Sequence, residues 1–465
     1  MNIRIIMAAL ALALVGFVPA SVQAQSCTST SVTENFTGAS TNCTWNYYNG
    51  ACLTAGSSAS TATSSPGQLP MCKNLPYYGS QTQVGGANGN ANQDTPLTGG
   101  ALRLTNSAMN QSGAIVSNVP FALSSAGLQV TFTTETYIGN SGSNSHGGGS
   151  DGADGISFFL QDASQPVTLG DYGGSLGYTC SNTNNSPSQG YDGMIGGYIG
   201  LGIDEFGNFL DGSWVTTPAT STTAASTVFN PSNQGANPQD NTASGYGKQA
   251  NRVGLRGAGS VAWNYLSTNP ATSQYYPSSL TADQRLKAVR QTCETGFIWD
   301  FSGVHTNDSG GSGTYLPANA GSGAQSIANP YSRATITNIP VADYRAIPNA
   351  YAILSNKIAV EGATKRGYAT SATSGSSFGI PITYNLTITT AGLLSLSYSY
   401  NGGNFQPVIT GQDITAANGT LPSQVRFGFA GSTGGSTNVH EIMCFQAQPQ
   451  TSASSSAGLN QKQSA

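Results

Sequence analysis

From Leu128 to Ile138 the chain alternates: Leu128, Val130 and Phe132 fall on one side of an extended segment, and Gln129, Thr131 and Thr133 on the other. A period of two predicts a β-strand with one face in a core and one toward water. The alternation returns between Tyr384 and Tyr400 around Gly392, which predicts two strands joined at a glycine turn. Shorter strand-like runs lie at Ala101–Thr105, Asn251–Arg256 and Thr295–Phe301. One segment departs from this period. Leu280, Leu286 and Val289 recur at helical spacing behind a Thr281/Gln284 capping box, which predicts one helix from Leu280 to Cys293. The pattern as a whole reads as an all-β sandwich with long loop insertions and one short helix.

Composition narrows the class. Charged residues make up 8% and hydrophobic residues 38% of the 465, a balance unlike that of a disordered chain, and a net charge of −4 offers no basic field for nucleic acid. Residues 1–24 read as a secretory signal: Arg4 is the only charge, Ile5–Val18 is apolar, and Val22-Gln23-Ala24 is a small-residue cleavage site. The apolar run stops at Pro19, too early to span a bilayer comfortably, and no later run is long enough, so no membrane span is expected. The seven cysteines form no Cys-x-x-Cys, so in an exported chain they predict disulfides, with one left over, and no zinc or redox site. Residues 25–96 read as an irregular cysteine-bearing lead-in packed on the sandwich, with Trp45, Tyr47 and Tyr48 to hold it down and with Cys43, Cys52 and Cys72 containing a bridge. Residues 446–465 read as a low-complexity tail or linker.

The chemistry concentrates between Asp154 and Asp211. Asp204, Phe206 and Asn208 alternate on an extended run and Asp211 follows, so a turning chain could set two carboxylates, an amide oxygen and the Phe206 carbonyl around one hard cation, calcium. The bland alternative is a polar turn that binds nothing.

Four motifs in and beyond this stretch carry a resemblance. Gly152-Ala153-Asp154-Gly155, Gly173-Gly174-Ser175-Leu176-Gly177, Asp204-Glu205-Phe206-Gly207-Asn208, and Phe427-Gly428-Phe429 leading into Ser432-Thr433-Gly434-Gly435 resemble segments of the legume-type lectin family. Its fold is the concanavalin A-like β-sandwich, or jelly roll. The resemblance implies that residues 97–445 form one lectin domain with insertions at 212–250 and 258–380. It further implies that Asp154 follows a non-proline cis bond and binds sugar with Asn208 and an amide of Gly173 or Gly174, that Phe206 stacks on the ring, and that Ser432, Gly434 and Gly435 border the site. Asp204, Phe206, Asn208 and Asp211 would hold calcium, and the partners would be glycans or polysaccharide. Gly202 and Arg252 stand where plant members place ligands of a second metal, manganese, so calcium alone is expected. The family's strand order also implies a Cys27–Cys444 bridge. The tail and general layout resemble, more weakly, the lectin-like part of adhesins associated with type IV pili, which would make a surface or pilus assembly a partner.

Catalysis has no visible constellation. The glucanases that share this fold carry Glu-x-Asp-x-(x)-Glu on one strand, but here Gly202 precedes Ile203-Asp204 and the first carboxylate is missing. Glu135 and Glu441 lie in strand-like runs with no partner legible in the sequence. The expected function is calcium-dependent carbohydrate binding for adhesion, and the alternative is a structural or adhesive module whose sugar site has decayed.

Overall fold

The computed structural model describes residues 27–75, 99–123, 126–140, 152–180, 192–209, 250–259, 293, 346–360, 362–367 and 378–450, together with the backbone of six short strands between residues 213 and 341. Two antiparallel sheets carry the fold. The eight-stranded sheet runs in the order Gln406–Asp413, Leu393–Tyr400, Ile382–Ile388, Leu128–Asn140, Thr437–Gln448, Leu102–Thr105, Cys52–Leu53, and Val32–Asn35 also pairs with Thr437–Gln448. The nine-stranded sheet runs Ala346–Ile353, Arg252–Arg256, Gly197–Asp204, Gly155–Asp162, Gln424–Ser432, Ser112–Ser117, Trp45–Tyr48, Ser65–Gly67, with Phe121–Ala122 pairing at Gln424–Ser432. Among the described residues there are also three two-stranded pairs, Ser213–Thr217 with Ser226–Asn230, Ile298–Asp300 with Thr314–Leu316, and Ala334–Ile336 with Ile339–Val341.

Alternation decides which faces meet. Leu128, Val130 and Phe132 are fully buried while Gln129, Thr131 and Thr133 are half-buried, as their period of two requires. Phe132 stacks 5.3 Å from Phe158 of the opposite sheet, and Phe427, Phe429 and Phe445 join them in one aromatic core between the layers. The two strands expected between Tyr384 and Tyr400 are Ile382–Ile388 and Leu393–Tyr400, which pair in register from Ile382↔Tyr400 to Ile388↔Leu394. Of the helix expected from Leu280 to Cys293, only Cys293, which is helical, lies among the described residues. A one-turn helix at Thr415–Asn418 has no counterpart in the sequence reading.

The lead-in is less irregular than its composition suggests, because it contributes strands to both sheets. Trp45 is fully buried, 5.8 Å from the Phe36 ring and 6.1 Å from that of Phe445. Its indole donates to the buried Glu34 carboxylate at 3.1 Å, which also accepts the Asn42 and Cys43 amides. The disulfides are Cys27–Cys43, Cys52–Cys72 and Cys180–Cys293. The expected Cys27–Cys444 bridge is therefore wrong, although the first and last strands do lie side by side. Cys444 pairs with Asn35, whereas the turn at Thr28–Ser31 folds Cys27 back beside Val32, three residues along the ladder. Cys444 is a free thiol, 3.3 Å from Thr133 Oγ1.

Glu135 and Glu441 do have partners, against the sequence reading. They face each other across Leu128–Asn140 and Thr437–Gln448 on the outer side of the eight-stranded sheet, under the segment that carries Arg366 and Gly367. Glu441 accepts Nε and Nη2 of Arg103 at 3.1 and 3.0 Å and is paired with Arg366. Glu135 accepts the Gly367 amide at 2.7 Å. Burial alone would push the Glu441 carboxyl up, and the two guanidiniums outweigh it to hold it below the ordinary range. Glu135 is pushed up to about 8 by burial and by the neighbouring Glu441 charge. Both carboxyls are shut away from solvent, so the pair anchors a covering segment and is not open to a substrate.

Candidate functional site

Four neighbouring strands of the nine-stranded sheet end in one transverse row: Ser432, Gly155, Asp204 and Arg252 are register partners. Every loop that leaves this row emerges at the same end of the sandwich. Asp154 is the first residue beyond it and is gripped from both sides. Its amide donates to the Ser432 carbonyl at 2.9 Å, and its own carbonyl accepts the Glu205 and Phe206 amides at 3.0 and 3.3 Å. The Ala153–Asp154 peptide is cis. Only glycine can follow, since Gly155 has φ +145° and a Cβ there would lie 2.2 Å from the Ile203 carbonyl.

Asp154 is almost fully buried, and its Oδ1 accepts Asn208 Nδ2 at 3.2 Å. Asn208 arrives by a tight loop that Asp204 organises. Asp204 Oδ1 accepts the Gly207 amide at 2.6 Å and Oδ2 accepts the Phe209 amide at 2.7 Å, so one carboxylate caps the whole turn. This is the geometry of the polar-turn reading, and the same carboxylate is a pair of oxygen donors. With the Asn208 side-chain oxygen and the Phe206 carbonyl, the donors in this loop are all hard oxygens, which suits calcium. Asp211 lies outside the described residues, and no group of three or more His, Cys, Asp or Glu forms a metal cluster among the described ones. Gly202 and Arg252, expected to replace ligands of a second metal, are occupied otherwise. The Phe209 ring covers Gly202, and Arg252 lies over the Tyr351 ring at 5.3 Å with its Nη2 3.5 Å from the Gly207 carbonyl.

Gly173–Ser175 forms a single tight turn held to the sheet, with Ser157 Oγ donating to the Leu176 carbonyl at 2.6 Å. It brings Gly174 so close to Asn208 that a Cβ would sit 2.3 Å from the carboxamide carbon. Gly434 closes the other side: its Cβ position is 3.0 Å from Asp154 Oδ2 and 3.8 Å from the Gly173 Cα. Gly435 next to it is open. Asp154, Gly173, Gly174, Asn208 and Gly434 are thus brought together, with Phe206 half-buried beside them. Ser432 contributes differently from the expectation, because its buried hydroxyl donates to Gln111 at 3.0 Å and only its carbonyl meets Asp154.

Two supports were missed in the sequence. The loop Asn106–Gln111 lies against the Gly434 turn, with the Asn110 amide donating to the Gly434 carbonyl at 3.2 Å and the Thr433 hydroxyl to Ala108 at 2.6 Å, and it carries the exposed Met109. Beneath the site, Glu205 accepts Thr136 Oγ1 at 2.8 Å and Asn438 Nδ2 at 2.6 Å, and His440 Nε2 stands 3.2 Å away. A period of two would have found Glu205: if Asp204 points outward, its neighbour must point into the sandwich.

No family model matches the sequence, and no curated protein matches it. Solved structures do resemble the chain. Lectin II from Ulex europaeus is similar at 12% identity and TM-score 0.33 over 75% of this chain and 86% of that one. A peanut lectin in complex with a nine-residue peptide is similar at 14% identity and TM-score 0.31, over 80% and 94% of the two chains. The exoplasmic/lumenal domain of VIP36, in its Ca2+/Man-bound form, is similar at 12% identity and TM-score 0.28, over 75% and 78%.

Proposed function

We propose that this protein is a secreted, calcium-dependent carbohydrate-binding protein, with its site at Asp154, Asn208 and the glycine turns around them. The observation that carries the reading is the convergence of a buried carboxylate, a carboxamide and two side-chain-free turns within a few ångströms at one end of the sheet. Such a set suits vicinal hydroxyls, because the carboxylate accepts two O–H donors while Asn208 Nδ2 and a Gly173 or Gly174 amide donate to the same oxygens. Phe206 would lie against the apolar face of the ring. Gly174 and Gly434 leave the floor bare, so a flat sugar edge can approach the backbone.

Calcium, held by Asp204, Asn208, the Phe206 carbonyl and Asp211, would supply a fixed charge that orients the Asn208 side chain. It would not itself touch the sugar, so chelation would act on binding through loss of preorganisation. Three disulfides fit an oxidising compartment and so support export behind the 1–24 signal. Among the described residues no helix is long and apolar enough to cross a membrane. A single shallow site binds weakly, and adhesion to a glycan surface would come from several copies acting together, whether free or in a surface or pilus assembly.

Glycan arrays of wild type and Asp154→Ala, in calcium and after chelation, test this. The wild type should bind, and the variant should lose about tenfold to a hundredfold in affinity, the size of a lost hydrogen bond to a charged group. A wild type that bound no sugar while calcium still raised its melting temperature would leave a structural module with a decayed site. Polysaccharide turnover by the wild type would instead make it an enzyme.

A further inference from the structure

We infer that Arg256 is a positioning residue that, through the Cys180–Cys293 disulfide, locks the two ligand-facing loops to each other. This deepens the sugar-binding reading, on which its functional consequence rests. The need for a lock is geometric. Gly174 and Asn208 belong to different loops, yet they approach so closely that a Cβ on Gly174 would be 2.3 Å from the Asn208 carboxamide carbon, and a site that uses both needs the two loops held in fixed relation.

Arg256 supplies the connection. It is fully buried at the far end of the strand Arg252–Arg256, where Nη1 donates to the Phe209 carbonyl at 2.9 Å and Nη2 to the Cys293 carbonyl at 2.8 Å. Phe209 directly follows Asn208. Cys293 is bonded to Cys180, whose carbonyl accepts the Ser175 hydroxyl at 2.7 Å, and Ser175 directly follows Gly174. The path from Asn208 through Phe209, Arg256, Cys293, Cys180 and Ser175 to Gly174 therefore closes a ring around the contact it sets.

An aromatic layer fills that ring. Tyr178 from one loop and Phe209 from the other lie 6.3 Å apart on the outer face of the sheet, in the space left by Gly200 and Gly202. The Arg256 guanidinium carbon is 6.0 Å from the Phe209 ring centre, and the Tyr178 hydroxyl donates to the Gly257 carbonyl at 3.0 Å. Arginine suits the position because its planar fork can serve two carbonyls on different segments at once. A lysine at the end of a flexible stem cannot fix both directions together.

Amide hydrogen exchange on the full chain, read for 170–180 and 204–209 with 128–140 and 437–448 as internal reference, tests the lock. Arg256→Met should raise exchange in both loops about tenfold or more while the reference strands hold, because charge-assisted hydrogen bonds are lost at a buried site. Arg256→Lys should recover part of the protection. Cys180→Ser with Cys293→Ser should raise exchange in the same two loops, and combining it with Arg256→Met should add little, since both lesions open one ring. Exchange rising in 204–209 alone, or lesions whose effects add in full, would overturn the proposal. Should Arg256→Met fail to fold, the cysteine variant decides: loss of protection confined to 170–180 would sink the coupling. Glycan affinity should fall in step with exchange. A wild type that bound no glycan would remove the sugar reading and leave the lock to be judged by exchange.

Discussion

Glu135 makes the stability of the fold depend on pH in a direction that can be worked out. In the folded protein burial and the Glu441 charge push its carboxyl up to about 8 from an ordinary value of 4.5. Between those values the folded state binds a proton that the unfolded chain has released, so stability falls as pH rises. The contribution is fully present below about pH 4.5 and fully lost above about pH 8. Across pH 5 to 7.5 the slope of about 1.4 kcal/mol per unit amounts to about 3 kcal/mol, a large share of a typical domain's stability. Glu135→Gln isolates it, because the amide oxygen can still accept the Gly367 amide while nothing titrates. Urea unfolding of wild type and variant at matched pH gives the test, since other titrating groups cancel in the difference. The variant should gain on the wild type steadily as pH rises from 5 to 8. A difference that stayed flat over that window would refute the reasoning.

Other perturbations separate the supports from the site. Glu441→Gln leaves Arg103 and Arg366 facing a neutral group in a buried cluster, and should cost about 3–5 kcal/mol in urea unfolding. Gly174→Ala forces a methyl against the Asn208 carboxamide; it should abolish glycan binding while shifting the melting temperature little, because the far end of Asn208 can swing aside. Cys444 should be the single thiol titrated after unfolding, and should react slowly in the native protein because burial pushes its pKa up; non-reducing peptide mapping should join Cys27 to Cys43.

Local signals made part of this molecule legible. The alternation at Leu128–Phe132 and the glycine turn at Gly392 are properties of consecutive residues, and the strands fall where they predict. The site's loops were legible for the same reason: Gly173-Gly174 and Asp204-x-Phe206-x-Asn208 are short strings whose spacing survives in a single sequence. What holds those loops was not. Arg256 meets Phe209 across 47 residues, Arg103 meets Glu441 across 338, and Glu441 meets Arg366 across 75, distances at which no periodicity operates. The Cys27 error has a similar origin. Adjacent strands were the right neighbourhood, but disulfide geometry depends on register, and a tight turn before Val32 set Cys27 off by three residues.

Asp204 lets the turn's own stability be separated from the cation's. Both of its oxygens hold backbone amides, so the carboxylate contributes to the turn through these bonds as well as through any cation it would hold. Asp204→Asn replaces one acceptor oxygen by a donor and should remove one of those two bonds. In chelator, with no metal to lose, it should still destabilise the protein by about 1.5–3 kcal/mol, the range for a hydrogen bond to a charged group. Calcium should then raise wild-type stability by about 2.7 kcal/mol at a hundred times its dissociation constant and the variant by much less. The increments are measured in the same unfolding experiment and have different sources. A variant as stable as wild type in chelator would mean that the amides do not depend on the carboxylate, and the turn would have to owe its shape to Arg256 and the aromatic layer alone.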